Sequence, residues 1–437
     1  MKPNKPIILY LPEGFEQKLD LYLSLNPPKF SVQKEYFYYV IHHIISRKII
    51  RSKSEFVALD KISLKTITVS NIDRYIKILK NGEFIISDGT YLSNTKSLWY
   101  KLNPNFLNDI NPLEIAADSK LGKKIIKNIR NSKSHYNRLP YHLKLMKKEF
   151  MQLNFDYDGA YNWIQNNSSE SSKLSHLLSV NQLQDKRFRY FKRNKTNYRL
   201  DTNLTNFKSE LKQFIIGDYV SLDLRNSQPT LLGILLFNLF TPNLNTLCPH
   251  FERKNLVKTF GVMALKEISK LHQNNKKENM VNLNLYLSAA LKGNLYDEFV
   301  ELNNKTASRT EIKDVIFKVL FSQNKIYRNH EKIIPYEKEK KIFSSAYPFI
   351  YEIVKILKNK NHRNLSIYLQ TIESYIFIDC ISKRLVENGI IPLTIHDSVI
   401  IKSVHLNKAR GIIEDMFLEQ VGLVPAFKVE KTGALCN

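Results

Sequence analysis

The stretch IIPLTIHDSVII, residues 390–401, contains the first of three patterns that indicate the fold of this 437-residue chain. Two apolar, β-prone arms flank His396-Asp397-Ser398, a pattern typical of a β-hairpin with its polar residues at the turn. Burial of both arms would hold Asp397 rigidly, at a position where a metal ion can bind. The alternative is a surface turn in which Asp397 only supports the bend.

A second acidic residue follows another short β-prone run. YVSLD, residues 219–223, ends in Asp223, and an apolar helical stretch begins a few residues later. An Asp at the tip of a strand is well placed for metal binding, because the strand is rigid and its backbone carbonyl is available too. The alternative is an Asp that caps the next helix.

A third pattern is helical and combines cations with aromatic rings. Its members lie four residues apart, so each step turns by about 400° and drifts by only about 40° around the helix. They therefore share one face along about 18 Å of axis. The cations match the phosphates of a nucleoside triphosphate, and the rings match its base and sugar. The alternative is an amphipathic helix with the rings in the core and the cations in solvent. The four residues are Arg309, Lys313, Phe317 and Phe321.

Charge is the most informative bulk property. The chain has 66 Lys and Arg against 41 Asp and Glu, a formal net charge of +25. Such a surplus indicates a polyanionic partner, with nucleic acid as the first candidate. An AT-rich genome would also raise the lysine content, but it would spread the charge evenly. Here cations cluster at 120–138 and at 185–199, where Phe188, Tyr190 and Phe191 lie among them, and this favours nucleic-acid binding.

The sequence offers no recognisable targeting signal and no cysteine motif. No run approaches the roughly 18 apolar residues of a membrane span, and the N-terminus does not resemble a secretion signal. Cys248, Cys380 and Cys436 form neither a disulfide framework nor a zinc motif. We expect a cytoplasmic protein that does not bind membranes.

The chain is expected to contain three regions. Residues 1–105 read as a small winged-helix-like module, with helices followed by a hairpin whose turn is Ser87-Asp88-Gly89 and whose second arm starts at Tyr91-Leu92. Modules of this shape bind DNA or protein, and the sequence leaves both open. Residues 106–184 are expected to form a basic, helical, thumb-like or linker region. Residues 185–437 are expected to form one catalytic domain.

The three patterns together resemble motifs A, B and C of the DNA polymerase I (family A) superfamily, which includes the single-subunit phage RNA polymerases. Their order is the same: acidic strand end, cation-aromatic helix, His-Asp hairpin. YRLDTNLTN (198–206) is similar to the segment before motif A, Tyr347-Pro348 to one after motif B, and Gln370-Thr371 to the start of the helix before motif C. The resemblance covers roughly residues 190 to 430.

The resemblance implies an α/β (α+β) fold, with a right-hand palm and fingers, a helical thumb-like region and the small winged-helix-like module in front. It implies two Mg²⁺ ions, or Mn²⁺ in their place. Asp223 and Asp397 would hold them, assisted by the carbonyl of Leu224. Such a metal pair activates the primer 3′-hydroxyl and stabilises the leaving pyrophosphate.

The resemblance also assigns roles on the helix and around the strands. Lys313 would bind the triphosphate and protonate pyrophosphate as general acid, and Arg309 would grip the phosphates. Phe317 and Phe321 would lie at the base and sugar. The residues implied to contact the primer-template are Arg199, Gln370 and His396.

Some positions depart from the family pattern. Lys318 and Ser322 replace glycines beside the motif B rings, and Phe321 replaces a tyrosine. Ser398 follows Asp397, as in the phage RNA polymerases, where the DNA polymerases have a glutamate. Gln228 stands where those DNA polymerases carry a glutamate that blocks the ribose 2′-hydroxyl. Glutamine is similarly bulky, which favours deoxynucleotides.

The sequence therefore predicts a template-directed DNA polymerase without a proofreading exonuclease, since little chain precedes the palm. Its partners would be primer-template DNA, nucleoside triphosphates and, for the N-terminal module, a replication protein. Such a small enzyme would suit a mobile element or phage. The alternatives are an RNA polymerase or primase-like enzyme of the same superfamily, a catalytically inactive nucleic-acid-binding replication protein, and a phosphodiester hydrolase.

Overall fold

The computed structural model describes residues 5–51, 55–89, 98–106, 110–133, 139–241, 246–303, 307–328 and 330–433. The fold is mixed α/β, mostly helical with small antiparallel sheets. This confirms the predicted α+β class in its coarse form. In these ranges no helix combines the length and apolarity that crossing a membrane requires. Cys248 and Cys380 are free thiols, and Cys436 lies outside the described residues.

The helices and strands alternate irregularly along the chain. The helices are α1 (Phe15–Leu25), α2 (Lys34–Arg51), α3 (Lys61–Ile67), α4 (Ile72–Asn81), α5 (Lys120–Lys133), α6 (Tyr141–Gln152), α7 (Tyr157–Asn167), α8 (Glu170–Gln184), α9 (Ser227–Phe240), α10 (Arg253–Phe260), α11 (Val262–Asn274), α12 (Lys276–Lys292), α13 (Leu295–Leu302), α14 (Arg309–Phe321), α15 (Glu337–Ala346), α16 (Pro348–Lys358), α17 (Arg363–Ser374), α18 (Ser382–Glu387) and α19 (Leu406–Val421), with a π-helical turn, Tyr375–Ile381, between α17 and α18. The strands are β1 (Ile7–Pro12), β2 (Val57–Ala58), β3 (Ile85–Ser87), β4 (Trp99–Leu102), β5 (Ile110–Ile115), β6 (Phe191–Arg193), β7 (Leu200–Thr202), β8 (Tyr219–Leu224), β9 (Ile326–Arg328), β10 (Glu331–Ile333), β11 (Leu393–Ile395), β12 (Ser398–Lys402) and β13 (Phe427–Thr432).

The chain forms two compact units. One comprises Met1–Leu139 with Tyr157–Arg189, and the other comprises Pro140–Asp156 with Tyr190–Asn437. The segment 106–184, predicted as a helical basic region, contains β5 as well as α5 to α8 and contributes to both units. The functional roles assigned to the three predicted regions remain predictions.

The first unit has two small sheets and a helical core. β1 pairs with β5, and β2, β4 and β3 form a three-stranded antiparallel sheet in that order. α4 buries the positions that its helical period predicts, among them Tyr75 and Leu79, and leaves Lys77 and Lys80 exposed. β3 contains the first arm of the predicted hairpin and pairs with β4, whereas the predicted second arm begins at Tyr91-Leu92. Residues 90–97, which include Tyr91-Leu92, lie outside the described residues, as do residues 134–138 of the first basic cluster.

The second unit is built on a four-stranded antiparallel sheet with the order β11-β12-β8-β13. β8 lies inside this sheet, between β12 and β13, and all of its residues are buried except Asp223, which is partly buried. α9 follows directly and buries Ser227 through Leu236 without a break. A helix apolar on all sides belongs in the core, and α9 therefore anchors the end of β8 firmly.

The second unit also contains α14, the helix predicted between 309 and 321. It starts with a capping box, in which the Ser308 hydroxyl accepts from the Glu311 backbone N–H and the Glu311 side chain accepts from the Ser308 backbone N–H. Its buried face consists only of aliphatic residues: Ile312, Val315, Ile316, Val319 and Leu320.

Two lysines are buried next to the C-terminal end of α14. Lys340 and Lys358 are each 3% exposed. The Nζ of Lys358 donates to the carbonyl of Val319, and the Nζ of Lys340 donates to the carbonyl of Gln323 at 2.5 Å. They thus satisfy carbonyls at the end of a helix. Burial, aided by the neighbouring charge of Lys340, lowers the pKa of Lys358 to about 7.

We expect Lys358→Met to change how stability depends on pH. The folded-state pKa of Lys358 lies below its ordinary value of 10.5, so between pH 7 and 10.5 the unfolded chain binds more protons than the folded one. The free energy of unfolding of the wild type, relative to Lys358→Met, should therefore rise with pH in this window, by up to about 1.4 kcal/mol per unit. Urea denaturation across the window measures it. Lys355→Met, a partly exposed position on the same helix, is the control, and equal pH profiles for both variants would contradict the assignment.

Candidate active site

The predicted His-Asp hairpin is present, and both its arms are buried. β11 and β12 pair so that Ile395 lies opposite Ser398, which leaves His396 and Asp397 as a two-residue turn. His396 has a φ of 52°, in the left-handed region that tight hairpin turns require. The turn conformation therefore holds Asp397 in one place.

β8 brings Asp223 beside this turn. Asp223 lies opposite Ser398 of β12, and the backbone N–H of Leu224 donates to the carbonyl of Asp397 at 3.1 Å. The N-cap of α9 is Asn226, three residues further on, so Asp223 is not a helix cap. Two acidic residues that are 174 positions apart in sequence thus come together at one end of the sheet, Asp223 on β8 and Asp397 in the β11–β12 turn.

The two carboxylates disfavour each other's ionised form. Burial, together with the charges of Asp397 and Glu430, raises the pKa of Asp223 to about 7, while Lys212 and Lys428 oppose this shift. Burial also raises the pKa of Asp397, although a hydrogen bond from Ser227 opposes this. A pair of close, partly desolvated carboxylates gains most from a nearby cation.

Glu373 of α17 lies beneath this pair and was not predicted from the sequence. It is 1% exposed and accepts from Nε and Nη2 of Arg199, at 2.8 and 2.9 Å. The Nε2 of Gln228 donates to it at 2.6 Å and the hydroxyl of Ser227 at 3.2 Å. Burial raises the pKa of Glu373 while Arg199 lowers it. The available signal was its position three residues after Gln370, on the same face of a helix.

The residues predicted to contact nucleic acid surround the same network. The side chain of Arg199 is 17% exposed and is held by Glu373. The Oε1 of Gln370 accepts from Nδ2 of Asn197 at 2.8 Å. Burial lowers the pKa of His396 to about 4, and its Nδ1 has no hydrogen-bond partner among the described residues. Their contacts with nucleic acid remain predictions.

The open face of α14 carries the predicted cations and rings. Arg309 pairs with Asp297 at 3.0 Å and is more than half exposed. The Nζ of Lys313 lies 5.9 Å from the ring centre of Phe317. Phe317 and Phe321 are stacked with centres 5.4 Å apart, and neither is buried. Because aliphatic residues fill the core side of α14, the alternative with both phenylalanines in the core does not describe this helix.

Tyr296 of α13 links the two parts of the site. The guanidinium of Arg309 lies 5.2 Å from the centre of its ring. The pKa of Tyr296 is raised to about 12, chiefly by burial; Arg309 lowers it and Asp397 raises it. Both charges therefore lie close enough to act on the same phenol. The charge of Lys212 acts on Asp223, Asp397 and His396. Neither Lys212 nor Tyr296 was predicted from the sequence.

The site supplies two carboxylates and a strand carbonyl rather than a full metal cage. In the part of the chain that the structure describes, no group of three or more His, Cys, Asp or Glu side chains is arranged to hold a metal ion. Asp223 and Asp397 fit Mg²⁺, which usually takes one or two carboxylates and completes its shell with water and substrate phosphates.

Comparisons with known proteins add little. No family model matches the sequence, and no curated protein matches it. Among solved structures, the POL domain of Pol1 from M. smegmatis, in complex with DNA primer-template and dNTP, matches with a TM-score of 0.26 and 13% identity. The match covers 63% of this chain and 55% of that one. A TM-score of this size does not establish a shared fold.

We expect Glu373→Gln to lower the free energy of unfolding by about 3 kcal/mol, because it leaves Arg199 without its buried counter-charge. Glu387→Gln removes an exposed acid near two cations on α18 and should cost less than about 1 kcal/mol. Urea denaturation of the full chain measures both. Equal, small effects would show that the Arg199–Glu373 pair does not support the site.

Proposed function

We propose that this chain is a template-directed DNA polymerase, a nucleotidyltransferase that works with two divalent metal ions. The observation that carries the proposal is the junction of β8 with the β11–β12 hairpin. There Asp223 and Asp397 lie side by side, partly buried, with no cation paired to either within salt-bridge distance among the described residues.

Asp223, Asp397 and the carbonyl of Leu224 would hold Mg²⁺ or Mn²⁺. The ions would activate the primer 3′-hydroxyl and stabilise the charge of the leaving pyrophosphate. The protein's part is to keep the two carboxylates fixed and adjacent. Strand pairing does this for Asp223, and the two-residue turn does it for Asp397.

The open face of α14 supports nucleotide binding. Arg309 and Lys313 are exposed, so they can take phosphate oxygens without a large desolvation cost. The stacked rings of Phe317 and Phe321 offer an aromatic surface to the base and sugar. Lys313 would also donate a proton to pyrophosphate as general acid. The ring of Tyr296, on the preceding helix α13, lies 5.2 Å from the guanidinium of Arg309.

In this proposal the sheet of β8 and β11–β13 is the palm and α14 belongs to the fingers. The basic region 106–184 would be thumb-like. Residues 1–105 would be a winged-helix-like module that docks DNA or a replication protein. The order of α2, β2, α3, α4, β3 and β4 supports that module. We also propose that the enzyme works without a proofreading exonuclease.

The sugar specificity depends on Gln228 and Ser398. Glu373 holds the buried amide of Gln228 at 2.6 Å, and this bulky group beside the site favours deoxynucleotides. The Oγ of Ser398 lies 2.6 Å from the Oγ of Ser221. Ser398 has no carboxylate, so it adds no third acid to the site. That feature keeps an RNA polymerase or primase-like enzyme as the second candidate.

We expect Asp223→Asn and Asp397→Asn each to reduce primer extension by about a thousandfold or more, because metal binding stabilises the transition state by several kcal/mol. The assay uses a labelled primer on a DNA template with Mg²⁺, and separate reactions contain dNTPs or NTPs. Asp218→Asn is the control, since Asp218 is exposed just before β8 and its carboxylate accepts from the hydroxyl of Ser403.

Each other outcome of this assay points elsewhere. Extension with NTPs alone would move the protein to the RNA polymerase branch. Nucleic-acid binding without extension on any template would favour an inactive replication protein. Metal-dependent cleavage without nucleotides would indicate a phosphodiester hydrolase. Unchanged extension by both aspartate variants would remove them as metal ligands.

We expect Lys313→Ala to lower kcat for nucleotide addition by about 100-fold, and Arg309→Ala mainly to raise the KM for the nucleotide. Neither should change the affinity for primer-template. Single-turnover incorporation at varied nucleotide concentration separates the two effects. Lys341→Ala, an exposed lysine on α15 paired with Glu337, is the charge-matched control. Equal losses in all three variants would indicate a general charge effect.

A further inference from the structure

A small hairpin, β9–β10, follows the aromatic end of α14. Tyr327 lies opposite Lys332 across it, and opposite residues of an antiparallel pair share a face. By strand alternation, Lys325 and Ile334 extend the same face. The Nζ of Lys325 lies 5.7 Å from the ring centre of Tyr327. This hairpin face therefore carries two cations and a ring, with no acid.

The base of the hairpin is anchored while its face is open. The Nδ2 of Asn324 donates to the carbonyl of Lys355 at 2.8 Å, and buried Lys340 holds the carbonyl of Gln323. Tyr327 is 64% exposed. Lys325 and Lys332 have no ion-pair partner within 4 Å among the described residues. Packing within the chain does not account for this ring or these cations.

A groove of about 350 Å³ lies between the hairpin face and α16. Lys325, Lys332 and Ile334 form one wall. Tyr351, Glu352, Lys355, Ile356 and Asn359 form the other, and Glu267 of α11 and Asn324 complete it. Lys355 pairs with Glu352 at 2.8 Å, which leaves Glu267 as the remaining acid in the lining. The groove therefore combines the two cations Lys325 and Lys332 with side-chain amides and the ring of Tyr351.

We propose that this groove and hairpin face bind a single-stranded nucleic acid, with phosphates at Lys325 and Lys332 and a base on Tyr327. Cations that follow the backbone, together with rings that stack on bases, are the features by which proteins hold unpaired strands. A duplex would keep its bases stacked inside and leave Tyr327 without a contact. Identifying the strand as the unpaired template rests on the proposed function, whereas single-strand binding does not.

The test is hydrogen exchange of the full chain with an unlabelled oligo-dT of about 12 nucleotides, within the usual site size, in EDTA and without nucleotides. We expect protection of residues 324–334 and of α16. Fluorescence anisotropy with labelled oligo-dT then gives affinities. Lys325→Gln with Lys332→Gln should flatten the slope of log K against log salt by about 1.4, because each phosphate contact contributes about 0.7. Tyr327→Ala should weaken binding about tenfold.

Two controls match these changes. Lys341→Gln removes an exposed charge on the adjacent helix, and Tyr141→Ala removes an exposed ring at the start of α6. Both should bind oligo-dT nearly as the wild type does. Absence of protection at 324–334, or equal losses in the controls, would overturn the proposal. Protection by a blunt duplex or by poly-glutamate but not by oligo-dT would overturn it as well.

Primer extension separates this inference from the proposed function. Protection by oligo-dT without any extension would support the binding surface and count against the polymerase. Equal extension by the wild type and Tyr327→Ala, with no protection at 324–334, would support the polymerase and count against the binding surface. Protection by a primer-template only when it carries a 5′ overhang would identify the bound strand as template.

Discussion

The pairing of β8 with β12 is the constraint on which the rest of the second unit depends. It sets Ser398 opposite Asp223 and ties Leu224 to Asp397 through one backbone hydrogen bond. A slip of one residue would move every side chain of β12 to the other face of the sheet. Burial of the apolar residues on both strands prevents that slip, so the hydrophobic core holds the two acidic side chains together.

The acids near this junction are of two kinds. Glu373 has its full complement of partners, a bidentate arginine and two further donors, and it stabilises the arrangement of Arg199, Gln228 and Ser227. Asp223 and Asp397 have no ion-pair partner among the described residues, although Asp397 accepts a hydrogen bond from Ser227, and burial raises the pKa of both. A packed core would normally avoid such a pair. The structure thus separates an acid that supports the fold from two that are available to a ligand.

One face of α14 packs in the core, and the opposite face carries the cations and rings proposed to bind the nucleotide. Its aliphatic face fills the core and its capping box starts it cleanly, so the cations and rings on the other face are not needed for folding. Two buried lysines complete its C-terminal end, and from there the chain runs into the β9–β10 hairpin. One rigid helix therefore orders both the proposed nucleotide surface and the proposed strand-binding groove.

The sequence by itself determined the β11–β12 hairpin, the strand that ends near Asp223 and the helix from Arg309, because each is specified by local apolar periodicity, turn chemistry or capping. It did not reveal Glu373 as the partner of Arg199 and Gln228, nor the contact of Tyr296 with Arg309. The first two contacts join residues 174 and 145 positions apart, and only tertiary packing brings such distant side chains together. The β9–β10 hairpin also escaped prediction, because its strands are short and exposed and carry no apolar alternation.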